Sequence, residues 1–277
     1  MKLLSSATDK TAYENSYNKW LSSLSSEIFF WRRYMETKGL KWHANWEQKI
    51  SPTKKFPLEK FIPTENIGGD CECIDIGCGP FPIGHNTDKV NLRFQTLDPL
   101  GHAYNLLKEQ YNIDDGVSVG TGCVELLHEL YPENTFDMVH MMNALDHSFN
   151  PFHGIQEMLF ICKVGGKVIL RHAENEAINQ KYQGLHQWNL SVSNPENSFV
   201  VWRNDERHDV CKLFSDFADF EIYPAKQHEG KFTGNHTVVI TKKKPTMIPS
   251  IGKFYSKIIH DCNYKFLIET LTSLNKG

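Results

Sequence analysis

The segment Cys73-Ile74-Asp75-Ile76-Gly77-Cys78-Gly79-Pro80-Phe81-Pro82 constrains this chain more than any other. A short apolar run leads into two glycines one residue apart, so a strand must turn sharply at a point where any Cβ would block a ligand's approach to the backbone. By geometry this is a cofactor loop opening a βα unit, with Asp75, Gly77, Cys78 and Gly79 as candidate contacts. A tight turn without a ligand is the other reading of a lone G-x-G.

Two features bear on the cofactor. The dinucleotide fingerprint asks for a third glycine where this chain has Pro82, and Pro80 removes an N–H that would face a pyrophosphate, which disfavours a nicotinamide dehydrogenase. A cofactor with a sulfonium and an amino-acid moiety needs fewer phosphate contacts and can use Asp75 as a partner for its ammonium group. The second feature is Asp98, 21 residues past Gly77 at the end of the next apolar run. A carboxylate there can accept both hydroxyls of a ribose, while a helix N-cap is its plainer reading.

From residue 71 onward, short apolar runs alternate with helical stretches, as in a parallel sheet built from βα units. Strands are predicted at Glu72–Ile76, Leu92–Leu97, Val117–Val119, Met138–Met142 and Lys167–Arg171. Helices are predicted at His102–Tyr111, Val124–Leu130 and Phe152–Cys162, with a further strand at Ser198–Trp202 and a helix at Asp209–Phe217. Phe220–Tyr223 and Thr237–Thr241 then suit a closing antiparallel hairpin. The expected fold class is α/β, doubly wound, with helical appendages at both ends. The divisions are a helical N-terminal cap (1–70), a central domain (71–245) and a helical tail (246–277). In the cap, Trp20, Leu21, Leu24, Ile28, Phe29, Trp31 and Tyr34 recur at helical steps.

Asp75-Ile76-Gly77-Cys78-Gly79, the acid at Asp98, Phe136-Asp137-Met138-Val139, Asn143-Ala144-Leu145-Asp146-His147 and Lys163-Val164-Gly165-Gly166-Lys167 occur in an order and spacing that resembles the class I S-adenosylmethionine-dependent methyltransferases. The resemblance covers roughly residues 70–172 and is specific as a set. It implies a mostly parallel, Rossmann-like sheet of seven strands whose last hairpin is antiparallel, with S-adenosylmethionine across the carboxyl ends of strands one, two and four. It places Asp75, Gly77 and Gly79 at the methionine part, Asp98 at the ribose, Cys123, Val124 and Glu125 at the adenine, and Asn143 at the methionine end. Cys123 stands where the family often has an aspartate.

The acceptor is narrowed by what is missing. The N-P-P-Y type tetrapeptide of base N-methylation is replaced by Asn143-Ala144-Leu145-Asp146, and the paired-glutamate loop of arginine methyltransferases is not recognisable. Methylation of a hydroxyl benefits from a general base. The candidates are His147, for which a structural or cofactor-side role is the plainer reading, His172, equally open to a scaffold role, and His186. The run Tyr182 to Asn189 would suit a small or saccharide-linked acceptor, since aromatic faces pack on C–H groups and amides take hydroxyls; a surface loop with a buried Trp188 is the plainer reading. Asp146, His172, Glu174 and Asn175 are available to a hard cation, but their spacing is not distinctive and no metal is assigned. Sequences with similar Asn143–His147 and Gly184–Asn189 stretches resemble methyltransferases of bacterial surface polysaccharide biosynthesis. A non-catalytic binding or regulatory protein on the same fold is the alternative.

Charge is unevenly spread: residues 1–70 carry a net +3, residues 71–240 a net −11 and residues 241–277 a net +5. An acidic centre disfavours nucleic acid as a partner, and the basic flanks are where acceptor selection or homodimer contacts are to be sought. The 7 cysteines show no C-x-x-C pair, which fits a reducing compartment. No segment approaches the roughly 18 apolar residues of a membrane span, and the apolar stretch at Leu3-Leu4 is too short for a signal peptide, so a cytoplasmic protein is expected.

Overall fold

Side chains along a strand alternate between faces, and this period organises the whole core. The structure, a computed structural model, describes residues 7–40, 45–55, 70–84, 91–228 and 231–246. In chain order the first half holds α1 (Ala7–Glu36), α2 (Trp46–Lys49), β1 (Asp70–Ile76), β2 (Asn91–Asp98), α3 (Gly101–Gln110), β3 (Gly120–Thr121), α4 (Leu127–Leu130), β4 (Phe136–Met142) and α5 (Pro151–Ile161). Then follow β5 (Cys162–His172), α6 (Glu176–Asn179), β6 (Asn189–Ser191), β7 (Val200–Arg203), β8 (Glu206–Asp209), α7 (Val210–Phe214), β9 (Ala218–Tyr223), β10 (Lys226–His228), β11 (Lys231–Thr233) and β12 (His236–Lys242).

Seven strands form one sheet in the order β3-β2-β1-β4-β5-β12-β9. β1 to β5 are parallel, while β12 runs antiparallel to both β5 and β9. The expected doubly wound sheet with a closing antiparallel hairpin is therefore present. Ile74 and Ile76 of β1 join Val139, Met141, Val168, Leu170, Val238 and Ile240 in the main core, and Cys71 and Cys73 face the opposite side with Met138 and Ile169. The strand order reverses between β1 and β4, which opens a crevice at their carboxyl ends.

α1 presents Tyr17, Trp20, Leu24, Ile28 and Tyr34 along one stripe to Leu100, Tyr104 and Leu107 at α3, forming a second core. Phe29, expected in that stripe, is 56% exposed because it falls on the outer face. α5 begins at Asn150, whose side chain accepts from the N–H of His153, with Pro151 in the first turn.

The sequence reading differs from the structure in three places. The third strand is not Val117–Val119 but Gly120–Thr121, because the side-chain amide of Asn105 takes both backbone groups of Val119 at 2.9 Å and replaces a strand partner. Ser198–Trp202 does not stand alone: β6, β7 and β8 pair as a separate antiparallel sheet. β10 and β11 form a small hairpin of their own between β9 and β12. The tail 247–277, with Cys262, and the breaks at Pro57 and Ile62-Pro63 lie outside the described residues. No helix among the described residues is long and apolar enough to cross a membrane.

Candidate active site

At the end of β1 the chain turns through Gly77 and Gly79, both left-handed with φ of 62° and 60°. The N–H of Gly77 donates to the carbonyl of Leu97 on β2 at 2.7 Å, which draws the loop over the end of that strand. Gly77, Cys78 and Gly79 form one wall of a cavity of about 220 Å³, and Asp98 lies on its floor. Oδ2 of Asp98 accepts from the N–H of Gly79 at 3.0 Å and Oδ1 from that of Leu100 at 2.9 Å. Asp98 is thus both a turn acceptor and a cavity group. Burial pushes its carboxyl up to about 7, against the two N–H donors, with Glu27 and Asp75 adding repulsion.

The far wall is made by Val124 and Glu125 and by residues just past β4, among them Asn143, Ala144 and His147. The Glu125 side chain is already engaged: Oε1 accepts from the N–H of Phe149 at 2.9 Å and of Asn150 at 3.0 Å, just before α5. Burial raises this carboxyl to about 8. Asn143 is left-handed, with φ of 48°, and its amide oxygen accepts from the N–H of Ala173 and from Nδ2 of Asn235.

α1 roofs the cavity with Trp20, Leu24, Glu27 and Trp31, and Lys49 of α2 closes the side. The Trp31 indole donates to Glu27 at 2.8 Å and stands 3.1 Å from where a Cβ on Gly79 would be. Burial holds the Lys49 amine below its usual range. None of these residues was singled out from the sequence as a site group. The signal available was a glutamate inside an otherwise apolar helical stripe.

The cavity lining thus includes Gly77, Cys78, Gly79, Asp98, Val124, Glu125, Asn143 and His147 of the predicted set, and leaves out Asp75, Cys123, His172 and His186. Asp75 lies beneath the loop, with Oδ1 2.7 Å from Nδ1 of His140 on β4 and Oδ2 accepting from the N–H of Ile83 at 3.2 Å. That arrangement differs from the expected role at an ammonium group, because the pleat turns Asp75 to the sheet face occupied by Cys73. Cys123 is buried in the core under α1. His172 is 1% exposed at the end of β5, and burial drops its imidazole to about 3, which keeps it neutral behind the cavity.

His186 lies beside His147. Its Nδ1 is 2.8 Å from Oδ2 of Asp146 and 3.0 Å from Nε2 of His147. The polar groups in the rest of the 182–189 run are already engaged: the Gln187 side chain donates to the carbonyls of Tyr182 and Gly184, and that of Asn189 to the Tyr182 hydroxyl, while Trp188 is buried under the Arg203 guanidinium. Only Leu185 of this run reaches the cavity. Of the residues considered for a hard cation, Glu174 accepts instead from the Ser191 hydroxyl and the N–H groups of Val192 and Ser193.

No family model matches the sequence, and no curated protein matches it. Solved structures do. The plantazolicin methyltransferase BamL, in complex with a triazolic desmethylPZN analog and SAH, aligns over 85% of this chain and 99% of its own length, with a TM-score of 0.53 and 11% identity. The fold is that of the class I S-adenosylmethionine-dependent methyltransferases. Other similar structures are a SAM-dependent methyltransferase from Thermotoga maritima (65% and 86% covered, TM-score 0.43, 16% identity) and the CurJ carbon methyltransferase (67% and 50%, 0.45, 15%). In this methyltransferase fold the crevice between β1 and β4 is where the cavity with Asp98 opens.

Proposed function

We propose that this chain is an S-adenosylmethionine-dependent methyltransferase acting in the cytoplasm on an oxygen of a small or saccharide-linked acceptor. The observation that carries the reading is Asp98: a buried carboxyl on the cavity floor, held by two backbone N–H groups and pushed up to about 7 by burial. Such a group is incomplete without further donors, and two ribose hydroxyls supply them.

The cofactor would bring an activated methyl group, displaced in line by the acceptor oxygen. Asp98 would hold the ribose, the Gly77–Gly79 loop would pass beneath the methionine part, and Val124 and Glu125 would flank the adenine. Trp20, Leu24 and Trp31 of the roof would exclude water, so that catalysis comes mainly from holding two reactants in line. His147, the one of the three candidate histidines that lines the cavity, would be the group to meet an acceptor. The resemblance of Asn143–His147 and Gly184–Asn189 to stretches in surface polysaccharide methyltransferases supports a saccharide.

Calorimetry with S-adenosylhomocysteine and a turnover assay over a saccharide panel test this. Binding that Asp98→Ala weakens at least about tenfold, as expected for lost hydrogen bonds to a charged group, together with methylated product, is the expected result. Equal binding by wild type and Asp98→Ala would remove the site, and binding without turnover on any acceptor would leave a binding protein on this fold.

A further inference from the structure

Asp146, His147 and His186 bring three ligand-type side chains together beside the cavity, two of them outside its lining. Asp146 and His147 sit on the short turn Leu145–His147 after β4, and His186 comes from a loop 39 residues on. The loop is tied down by the N–H of Gln187, which donates to the carbonyl of Asp146 at 3.1 Å. Three ligand-type atoms converge there: Asp146 Oδ2 to His186 Nδ1 is 2.8 Å, His186 Nδ1 to His147 Nε2 is 3.0 Å, and His147 Nε2 to Asp146 Oδ2 is 3.6 Å.

A ring nitrogen carries at most one hydrogen, so an Nδ1–H of His186 is shared between Oδ2 of Asp146 and the Nε2 lone pair of His147, and the 3.6 Å from His147 to Asp146 is left as a contact without a hydrogen bond. Three donor atoms bound about 2.1 Å from one cation stand about 3.0 Å apart at neighbouring octahedral positions and about 3.4 Å apart in a tetrahedron, and the observed separations straddle both values. Access comes through the imidazoles. Asp146 is 4% exposed, whereas the side chains of His147 and His186 are 18% and 29% exposed, and His147 lines the cavity. An ion there would keep open positions toward the cavity.

We propose that Asp146, His147 and His186 form a binding site for a divalent first-row transition metal at the acceptor end of the cavity. Two imidazoles and a carboxylate suit zinc, cobalt, iron or manganese better than calcium or magnesium, which prefer all-oxygen shells. The existence of the site stands on these side chains alone. Its service to an acceptor oxygen rests on the methyltransferase reading.

The test uses the untagged full chain, loaded with Co²⁺, desalted and assayed for metal by mass spectrometry and visible absorption. About one ion per chain is expected in the wild type and in Asp98→Ala, with His147→Ala and His186→Ala binding it at least about tenfold more weakly, while circular dichroism reports their folding. If an alanine variant unfolds, protection of His147 and His186 from diethyl pyrocarbonate by Co²⁺ in the wild type decides instead. No retained Co²⁺ or Zn²⁺ in the wild type, equal retention by both folded histidine variants, or no protection overturns the site and leaves an Asp–His–His hydrogen-bonded cluster. S-adenosylhomocysteine calorimetry on the same samples separates the two readings: cofactor bound without metal sinks the metal site alone, and metal bound without cofactor sinks the methyltransferase reading alone.

Discussion

Asp75 of β1 and His140 of β4 face each other across neighbouring strands, Oδ1 to Nδ1 at 2.7 Å, both almost fully buried. The two acids of the cofactor motif are thereby divided. Asp98 opens into the cavity, while Asp75 holds the loop from below through His140 and the N–H of Ile83.

Isosteric variants separate these roles. Asp75→Asn keeps one acceptor oxygen but turns an amide donor toward one of two existing partners. It should lose about 1–3 kcal/mol of stability with cofactor affinity changed only a few-fold. Asp98→Asn turns an amide donor toward the N–H of Gly79 or Leu100 and should lose a similar amount of stability, but it should also weaken S-adenosylhomocysteine at least about tenfold. Denaturant unfolding and calorimetry measure both quantities. A larger affinity loss for Asp75→Asn than for Asp98→Asn would return Asp75 to the site.

The raised carboxyl of Asp98 predicts a pH dependence whose sign is opposite to that of a salt-bridged acid. In the free protein the folded state holds this proton up to about 7, whereas the unfolded chain releases it near the ordinary aspartate value of 3.8, so its contribution to stability falls as pH rises between the two. Ribose hydroxyls favour the ionised form. S-adenosylhomocysteine should therefore bind most tightly above pH 7 and lose up to about tenfold in affinity per unit below it. Asp98→Asn should abolish that slope. A wild-type affinity that is flat from pH 5 to 8 would contradict the assignment.

The glycine loop offers a steric test. A Cβ on Gly77 would lie 2.4 Å from Cβ of Ala144, and one on Gly79 would lie 3.1 Å from the Trp31 ring. Both positions carry the left-handed penalty of about 1–2 kcal/mol, but only Gly77 adds a backbone-anchored clash. Gly77→Ala should be the more destabilising variant, and adding Ala144→Gly should restore part of the loss. Thermal unfolding of the single and double variants checks this, and no recovery in the double variant would show that Ala144 is not the obstacle.

Much of the scaffold was legible because its causes are local. Apolar runs of strand length, a G-x-G turn and an acid after the second strand each act over a few residues, so the α/β class, the closing antiparallel hairpin and the position of Asp98 at the end of the second strand could be read from spacing. Val117–Val119 was misplaced because Asn105, a dozen or more residues earlier in the chain, supplies the hydrogen bonds a strand would have made. The polar run at 182–189 was open to two readings, an acceptor lining or a surface loop with a buried Trp188, because composition shows which groups can hydrogen-bond, not whether they already do.

The sequence by itself determined the alternation of strands and helices, the glycine loop and the acid that follows it, since dihedral preference and side-chain periodicity are properties of adjacent residues. Only the tertiary structure decided that Asp75 turns to His140, that α1 roofs the cavity with Trp20 and Trp31, and that His186 meets Asp146 and His147. Each of these depends on which strands pair, in what register and on which face of the sheet a side chain emerges. Those are settled by packing between segments far apart in the chain, and no local spacing encodes them.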